Sequence, residues 1–104
     1  MSYVVEFTED ADDDITRLYA FLLESAATLE NLDLADEAIK VIRETTLHHL
    51  STSPYSYRKV GPSSTLRELI IPFASTGYVV RFDIRSSEFV LVFGARHQRE
   101  EDYH

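Results

Sequence analysis

The hydrophobic period of this chain changes near its middle, and that change limits the folds open to it. Between residues 9 and 50 apolar side chains recur every three or four positions; from residue 66 onward they alternate every second position. The first spacing marks helices with one buried stripe, and the second marks strands with one buried face. Helices gathered first and strands gathered afterwards predict an α+β domain, with the helices segregated to one face of a largely antiparallel sheet. A chain of 104 residues has room for one such domain, so residues 1–104 are taken as a single unit.

Within that frame the elements follow in order. Tyr3, Val5 and Phe7 alternate with Val4 and Glu6, a short N-terminal strand. Thr8 is placed as a helix N-cap, and Glu9, Asp10, Asp12 and Asp13 crowd the first turn, where the helix dipole favours negative charge. Ala11, Ile15, Leu18, Tyr19, Leu22 and Ala26 form one face of a helix expected over residues 9–27. Residues 28–34 read as a connection, with Asp33 as the cap of a second helix carrying Ala35, Ala38, Ile39, Ile42, Leu47 and Leu50. Ser51 to Pro54 end it, because proline cannot continue a helix. A short link between two helices predicts an antiparallel hairpin.

Residues 55–64 read as a loop. Leu66 to Ala74 follow as a strand in which Pro72 marks a sheet edge or a bulge. A turn is expected at Ser75-Thr76-Gly77, a strand over Tyr78–Ile84, and a second turn at residues 85–88. Phe89, Val90, Leu91, Val92, Phe93 and Ala95 are apolar on both faces, as in a central strand. The predicted order is βααβββ: strand, helical hairpin, then a three-stranded antiparallel meander.

Charge is divided as sharply as period. Of a net charge of −8, residues 1–54 carry 3 Lys+Arg against 12 Asp+Glu, and residues 55–104 carry 7 against 6. A phosphate-binding face could only be local and would have to come from the C-terminal half. The overall charge disfavours sequence-independent nucleic-acid binding, and direct DNA binding by this chain is not expected. The absence of cysteine excludes disulfides, thiolate nucleophiles and zinc–thiolate sites, and fits the reducing cytoplasm. No apolar run reaches the length of a membrane span, and the first residues, MSYVVEFTED, lack the basic and apolar regions of a secretory signal.

The strand leading into FTEDADDDI, the helical hairpin, the segment TLRELIIPFASTGYVVRFDI and the ending VLVFGARHQREEDY together resemble the RelE/ParE toxins over nearly the whole chain. The LRE segment, the GYVVRF hairpin and the ARHQRE ending resemble the ParE side in particular. The resemblance implies a cytoplasmic toxin of a type II toxin–antitoxin system, of the kind linked to plasmid stabilisation, held inactive by a cognate antitoxin in a hetero-oligomer. ParE-like members bind and block DNA gyrase without a known catalytic site. RelE-like members cut messenger RNA on the ribosome. A third possibility is a non-toxic binding module of the same fold, since fold alone does not select an activity.

Cleavage of RNA through its 2′-hydroxyl needs cations around an anionic phosphorane and an acid–base group nearby. The RelE resemblance carries over onto Arg67, Arg96 and Tyr103, with Arg58-Lys59 in the place of a lysine pair. His97 adds an acid–base candidate at a strand end. The alternatives are bland: Arg67 as a structural ion pair and His97 as a hydrogen-bonded structural residue. Adjacent His48 and His49 point about 100° apart on a helix and cannot face one metal. Asp12, Asp13 and Asp14 diverge similarly and read as a solvated first turn. Gly61, Gly77 and Gly94 form no phosphate loop, and no cofactor or metal is expected.

Phe21, Leu23 and Val41 lie off the main helical stripes and either contact the antitoxin or complete the core. An uncovered sheet edge would also invite pairing. A toxin this acidic implies Lys/Arg in the antitoxin's neutralising segment.

Overall fold

The computed structural model describes residues 2–99. The elements are β1 (Val4–Phe7), α1 (Glu9–Ser25), α2 (Leu29–Thr52), a 3₁₀ turn (Pro54–Ser56), β2 (Arg58–Lys59), β3 (Leu66–Phe73), β4 (Thr76–Ile84) and β5 (Phe89–His97). They build one mixed sheet in the order β1-β5-β4-β3-β2. β3, β4 and β5 form the expected antiparallel meander, and β1 joins parallel to β5 with Val4 opposite Phe89 and Phe7 opposite Val92. β5 is therefore central over its first half, which explains its two apolar faces.

Local chemistry sets the helix boundaries. Thr8 Oγ1 accepts the Ala11 N–H at 3.1 Å, capping α1 as the sequence predicts. α2 begins earlier than expected: Thr28 Oγ1 accepts the Asn31 N–H at 3.1 Å, and Asp33 lies inside the helix. The extra turn was hidden because Leu29 and Leu34 are exposed and lie off the buried stripe. α1 ends at Ser25, two residues short of the expected limit. Among the described residues, no helix is long and apolar enough to cross a membrane.

The core lies between the hairpin and one sheet face. Ala11, Ile15 and Leu18 of α1 and Ala38, Ile42 and Leu50 of α2 meet Leu69, Ile71, Val80, Phe82, Val90 and Val92. Each large aliphatic or aromatic side chain buried there contributes roughly 1.5–3 kcal/mol. Polar ties join the two helices at the rim. Tyr19 donates to Asp36 at 2.5 Å across the hairpin. Arg43 reaches Asp12 at 3.1 Å and lies over the Phe7 ring.

Two parts of the strand region differ from expectation. Arg58 and Lys59 leave the predicted loop to pair with Glu68 and Arg67 as an edge strand. The β3–β4 turn is Ala74-Ser75, one residue before the predicted site, because Phe73 pairs with Thr76. Ala74 adopts φ 53°, the positive φ that a two-residue hairpin loop demands at its first position. Gly77 thereby sits within β4, where a Cβ would lie 2.9 Å from the Ile71 carbonyl oxygen. Pairs in an antiparallel hairpin alternate between hydrogen-bonded and not. Counting from the closing Phe73–Thr76 pair, the nitrogen of Pro72 points away from β4 to the side that two-residue β2 does not reach. Proline thus occupies an open edge, as its sequence position suggested.

Thr46 is fully buried in α2, and its hydroxyl has no hydrogen-bond partner among the described residues. An isosteric methyl removes that unsatisfied group. Thr46→Val is expected to stabilise the fold by about 1 kcal/mol, seen as a higher urea midpoint at unchanged slope; a lower midpoint would contradict this account.

Candidate functional site

Successive residues of a strand point to opposite faces, so the rungs of the meander divide its polar side chains. Leu69, Ile71, Val80 and Phe82 face the helices. The rungs Glu68–Arg81 and Ile70–Val79, continued onto Gly94 and Arg96 of β5, lie on the other face. Glu68 is the centre of that face. Its carboxylate is 6% exposed and accepts from Arg81 Nε at 2.8 Å and Arg58 Nε at 3.0 Å. Arg58 Nη2 lies 2.7 Å from Oε1, and Arg96 Nη2 lies 3.3 Å from Oε2. Three strands each supply one guanidinium to a carboxylate on a fourth. The cations are graded in exposure, from Arg96 at 16% to Arg81 at 43% and Arg58 at 53%.

Burial alone would raise the Glu68 pKa, but the hydrogen bonds from Arg81 and Arg58, followed by their charges, outweigh it and hold the carboxyl below its ordinary value. The charged form is therefore the one the fold stabilises.

The open half of β5 borders this face. β1 leaves the sheet after Phe7, and Asp14 takes its place: the Ala95 N–H donates to Asp14 Oδ2 at 3.0 Å. Gly94 lies beside this contact, with Asp14 Oδ2 3.5 Å from the position of a Cβ, an ordinary van der Waals distance. A shallow cleft of about 350 Å³ runs here between Asp14, Arg17, Val79, Arg81 and Arg96. A larger one, about 600 Å³, opens beyond it between α1 and the end of the sheet, lined by Arg17, Leu18, Phe21, Leu22, Tyr78 and His97 among others.

The residues singled out from sequence are not gathered in one place. Arg67 is on the core side at the β2 end. Its Nη1 donates to the carbonyls of Tyr57 (2.7 Å) and Tyr55 (3.1 Å), and Nε and Nη2 both donate to Ser64 (3.1 and 3.0 Å). It also stacks over the Tyr55 ring. Arg67 is thus a clasp for residues 55–64, with carbonyl partners in place of the ion pair that was one of its two alternatives. Arg96 and His97 are neighbours on β5 and face opposite sides of the sheet. Arg67 is opposite Phe82 and His97 opposite Tyr78. That places them four residues along and two strands across, on the order of 13 Å by 10 Å.

His97 Nδ1 accepts the Arg99 N–H at 3.1 Å, so a neutral ring carries its proton on Nε2 and donates it to Thr76 Oγ1 at 2.9 Å. The ring stands edge-on to buried Tyr78. His49 is engaged through Nδ1 with the Tyr57 hydroxyl at 2.6 Å. Tyr103 lies outside the described residues. Phe21 is 62% exposed on the larger cleft and Leu23 is 37% exposed, whereas Val41 packs against the core. Sequence reading missed Glu68, Arg81 and Asp14 as site residues. The available signal was the parity of Glu68 and Arg81, both out of phase with the core-facing positions Leu69, Ile71, Val80 and Phe82 of their strands.

A carboxyl with a lowered pKa contributes stability that is fully present above about pH 4.3, the ordinary glutamate value, and is lost as pH falls through the lower folded value. Glu68→Gln is expected to cost roughly 1–3 kcal/mol at pH 7, a range that allows for the half-exposed arginines. It should also flatten the loss of stability below about pH 4.3. Urea titrations of both proteins from pH 7 to pH 3 measure this; parallel curves would show that the three arginines contribute no net stabilisation to the carboxylate.

This architecture has relatives. The profile of the family described as "ParE toxin of type II toxin-antitoxin system, parDE" matches residues 5–102. Among solved structures, one titled "Chromosomal ParDE TA system from P. aeruginosa" superposes with a TM-score of 0.69 at 12% sequence identity, covering 92% of this chain and 96% of that one. At that identity the likeness is one of fold. No curated protein sequence matches the chain. Strand, helical hairpin and meander in this order, matched by the family profile along almost the full length, establish that the chain belongs to the ParE toxin family of type II toxin–antitoxin systems.

Proposed function

We propose that this protein is a cytoplasmic toxin that inhibits DNA gyrase by direct contact and is neutralised by a cognate antitoxin. The observation that carries the reading is the dispersal of the groups a ribonuclease would use. Arg67 is 9% exposed and its guanidinium serves three backbone carbonyls. Arg96 is tied to Glu68, and His97 is on the other face with both ring nitrogens engaged. General acid–base catalysis needs its donor and acceptor within hydrogen-bond reach of one substrate atom, and these side chains converge on no common point. Inhibition by contact requires only surfaces.

The antitoxin surface is assigned to the larger cleft and the hairpin beside it. Phe21 and Leu23 are exposed there, and the hairpin carries most of the chain's acid. The cleft supplies an apolar floor, with Glu24 beside Arg17 and Arg99 at its lining, and the acid of the hairpin outside it fits an amphipathic segment bearing Lys/Arg. Phe21→Asp is expected to weaken antitoxin binding at least tenfold, about 1.4 kcal/mol, measured by calorimetry. A neutralising segment that is acidic and poor in arginine would count against the assignment.

Inducing the chain without its antitoxin, while recording growth, plasmid supercoiling and messenger RNA 5′ ends, tests the activity. Growth arrest with loss of negative supercoiling and intact messages is the expected result. Cleavage at fixed codon positions would replace the gyrase reading with the ribonuclease one. Normal growth would leave a non-toxic binding module.

A further inference from the structure

The sheet face opposite the helices carries a second binding surface, of opposite charge to the hairpin. Arg58 and Arg81 grip opposite oxygens of the buried Glu68 carboxylate, Arg58 through Nε and Nη2 to Oε1 and Arg81 through Nε to Oε2. Among the described residues, these contacts leave Arg58 Nη1 and both terminal nitrogens of Arg81 without an acceptor. Two half-exposed cations thus share one buried anion, and the local surplus is positive in a chain whose net charge is −8. The carboxylate does more than offset charge. It fixes two long, rotamer-rich side chains that flank it on one rung, Arg58 on β2 and Arg81 on β4, so the entropy of ordering them is already lost before any partner arrives. Asp83, two residues along β4 on the same face, is directed to Arg85 at 3.6 Å.

Beside the arginines the face turns apolar. Ile70, 39% exposed, occupies the rung next to Glu68–Arg81 opposite Val79, and the β3 edge beyond Glu68 is not covered by β2. Positions two apart on a strand are separated by about 6.6 Å. An extended segment with an acidic residue and an apolar residue two positions apart therefore matches both rungs.

We infer that this face, centred on Arg58 and Arg81 and held in shape by Glu68, receives an acidic protein segment: an Asp or Glu carboxylate on the guanidinium pair and an apolar side chain over Ile70. The inference deepens the proposed function, on which it rests for the statement that the segment belongs to the toxin's target. A nucleic-acid backbone fits less well. A polyanion extends beyond the few ångströms over which two arginines dominate and meets the field of a −8 protein. A single carboxylate feels only the local pair. Planar guanidiniums also suit a carboxylate through two parallel hydrogen bonds.

Two measurements test the inference. The first titrates the full-length protein with a hexapeptide of alternating Glu and Val, following the arginine Nε–H signals by NMR. A Gln–Val hexapeptide, inorganic phosphate and hexathymidylate serve as comparators. The Arg58 and Arg81 signals should shift saturably with the Glu–Val peptide and not with the Gln–Val peptide. Arg58→Gln with Arg81→Gln should weaken that binding tenfold or more. Equal response to both peptides, or tighter binding of hexathymidylate, overturns the proposal. The second compares toxicity and antitoxin binding in the same double variant, with Arg81→Lys as a milder change should the pair fail to fold. Lost or reduced toxicity with unchanged antitoxin affinity supports the assignment. Undiminished toxicity, or loss of antitoxin binding by a folded variant, overturns it and leaves gyrase inhibition standing. An unmutated chain with no effect on growth removes the gyrase reading instead, and the peptide titration then decides the surface alone.

Discussion

The parallel pairing of β1 with β5 is the constraint on which the rest of this structure depends. It joins the start of the described chain to its last strand and, with β1 and β2 at opposite edges of the sheet, requires the helical hairpin between them to cross one sheet face. Four residues achieve this, with Thr8 N–H donating to the Val92 carbonyl at 2.8 Å as the strand ends. From that point α1 can only start beside β5. Its first buried residues, Ala11 and Ile15, enter the core directly, and Asp14 reaches the Ala95 amide that β1 no longer covers. The short length of β1 also has a consequence for binding. Because it stops at Phe7, the second half of β5 is paired on its β4 side only among the described residues, and both clefts open along the other side.

The second organising feature is the separation of charge between layers. Most of the acid is on the helical hairpin, where it is dipole-favoured and solvated or tied between the two helices, as in the Arg43–Asp12 bridge. The arginines Arg58, Arg81 and Arg96 meet on the far face of the sheet. They can lie side by side there only because Glu68 stands among them, buried and held ionised by the same cations it neutralises. A buried carboxylate is weak evidence of stability, since desolvation offsets much of its attraction. Its value here is positional, because it aims cations that would otherwise repel one another. The molecule presents an acidic helical side and a locally cationic sheet side, two surfaces suited to partners of opposite charge.

Much of the fold was legible because period and capping are local properties. Thr8, followed by acids and then by Ala11, Ile15 and Leu18, specifies where a helix starts and which side it buries. Alternation from Tyr78 to Ile84 does the same for β4. The errors have equally local causes. Leu29 and Leu34 are apolar yet exposed, so the first turn of α2 looked like a connection. Arg58-Lys59 is too short and polar to carry a strand signal, and becomes one only because β3 offers a free edge. The candidate site was less legible. Arg67 was a candidate by its place in the LRE segment, and its neighbour Glu68 organises the cationic face. Which of two adjacent residues turns to the core depends on a register that a single strand does not display.

By itself the sequence determined the class of fold, the order of its elements, the asymmetry of charge between its halves and the resemblance to a toxin family. Each depends on residue type and spacing along the chain. Only the tertiary structure decided that Arg58, Arg81 and Arg96 converge on Glu68, that Arg67 serves three carbonyls, and that Arg96 and His97 face apart. Those facts rest on strand register and on a parallel pairing between residues more than eighty positions apart. Physical nearness of that kind is set by the packing of the whole sheet and has no local signature.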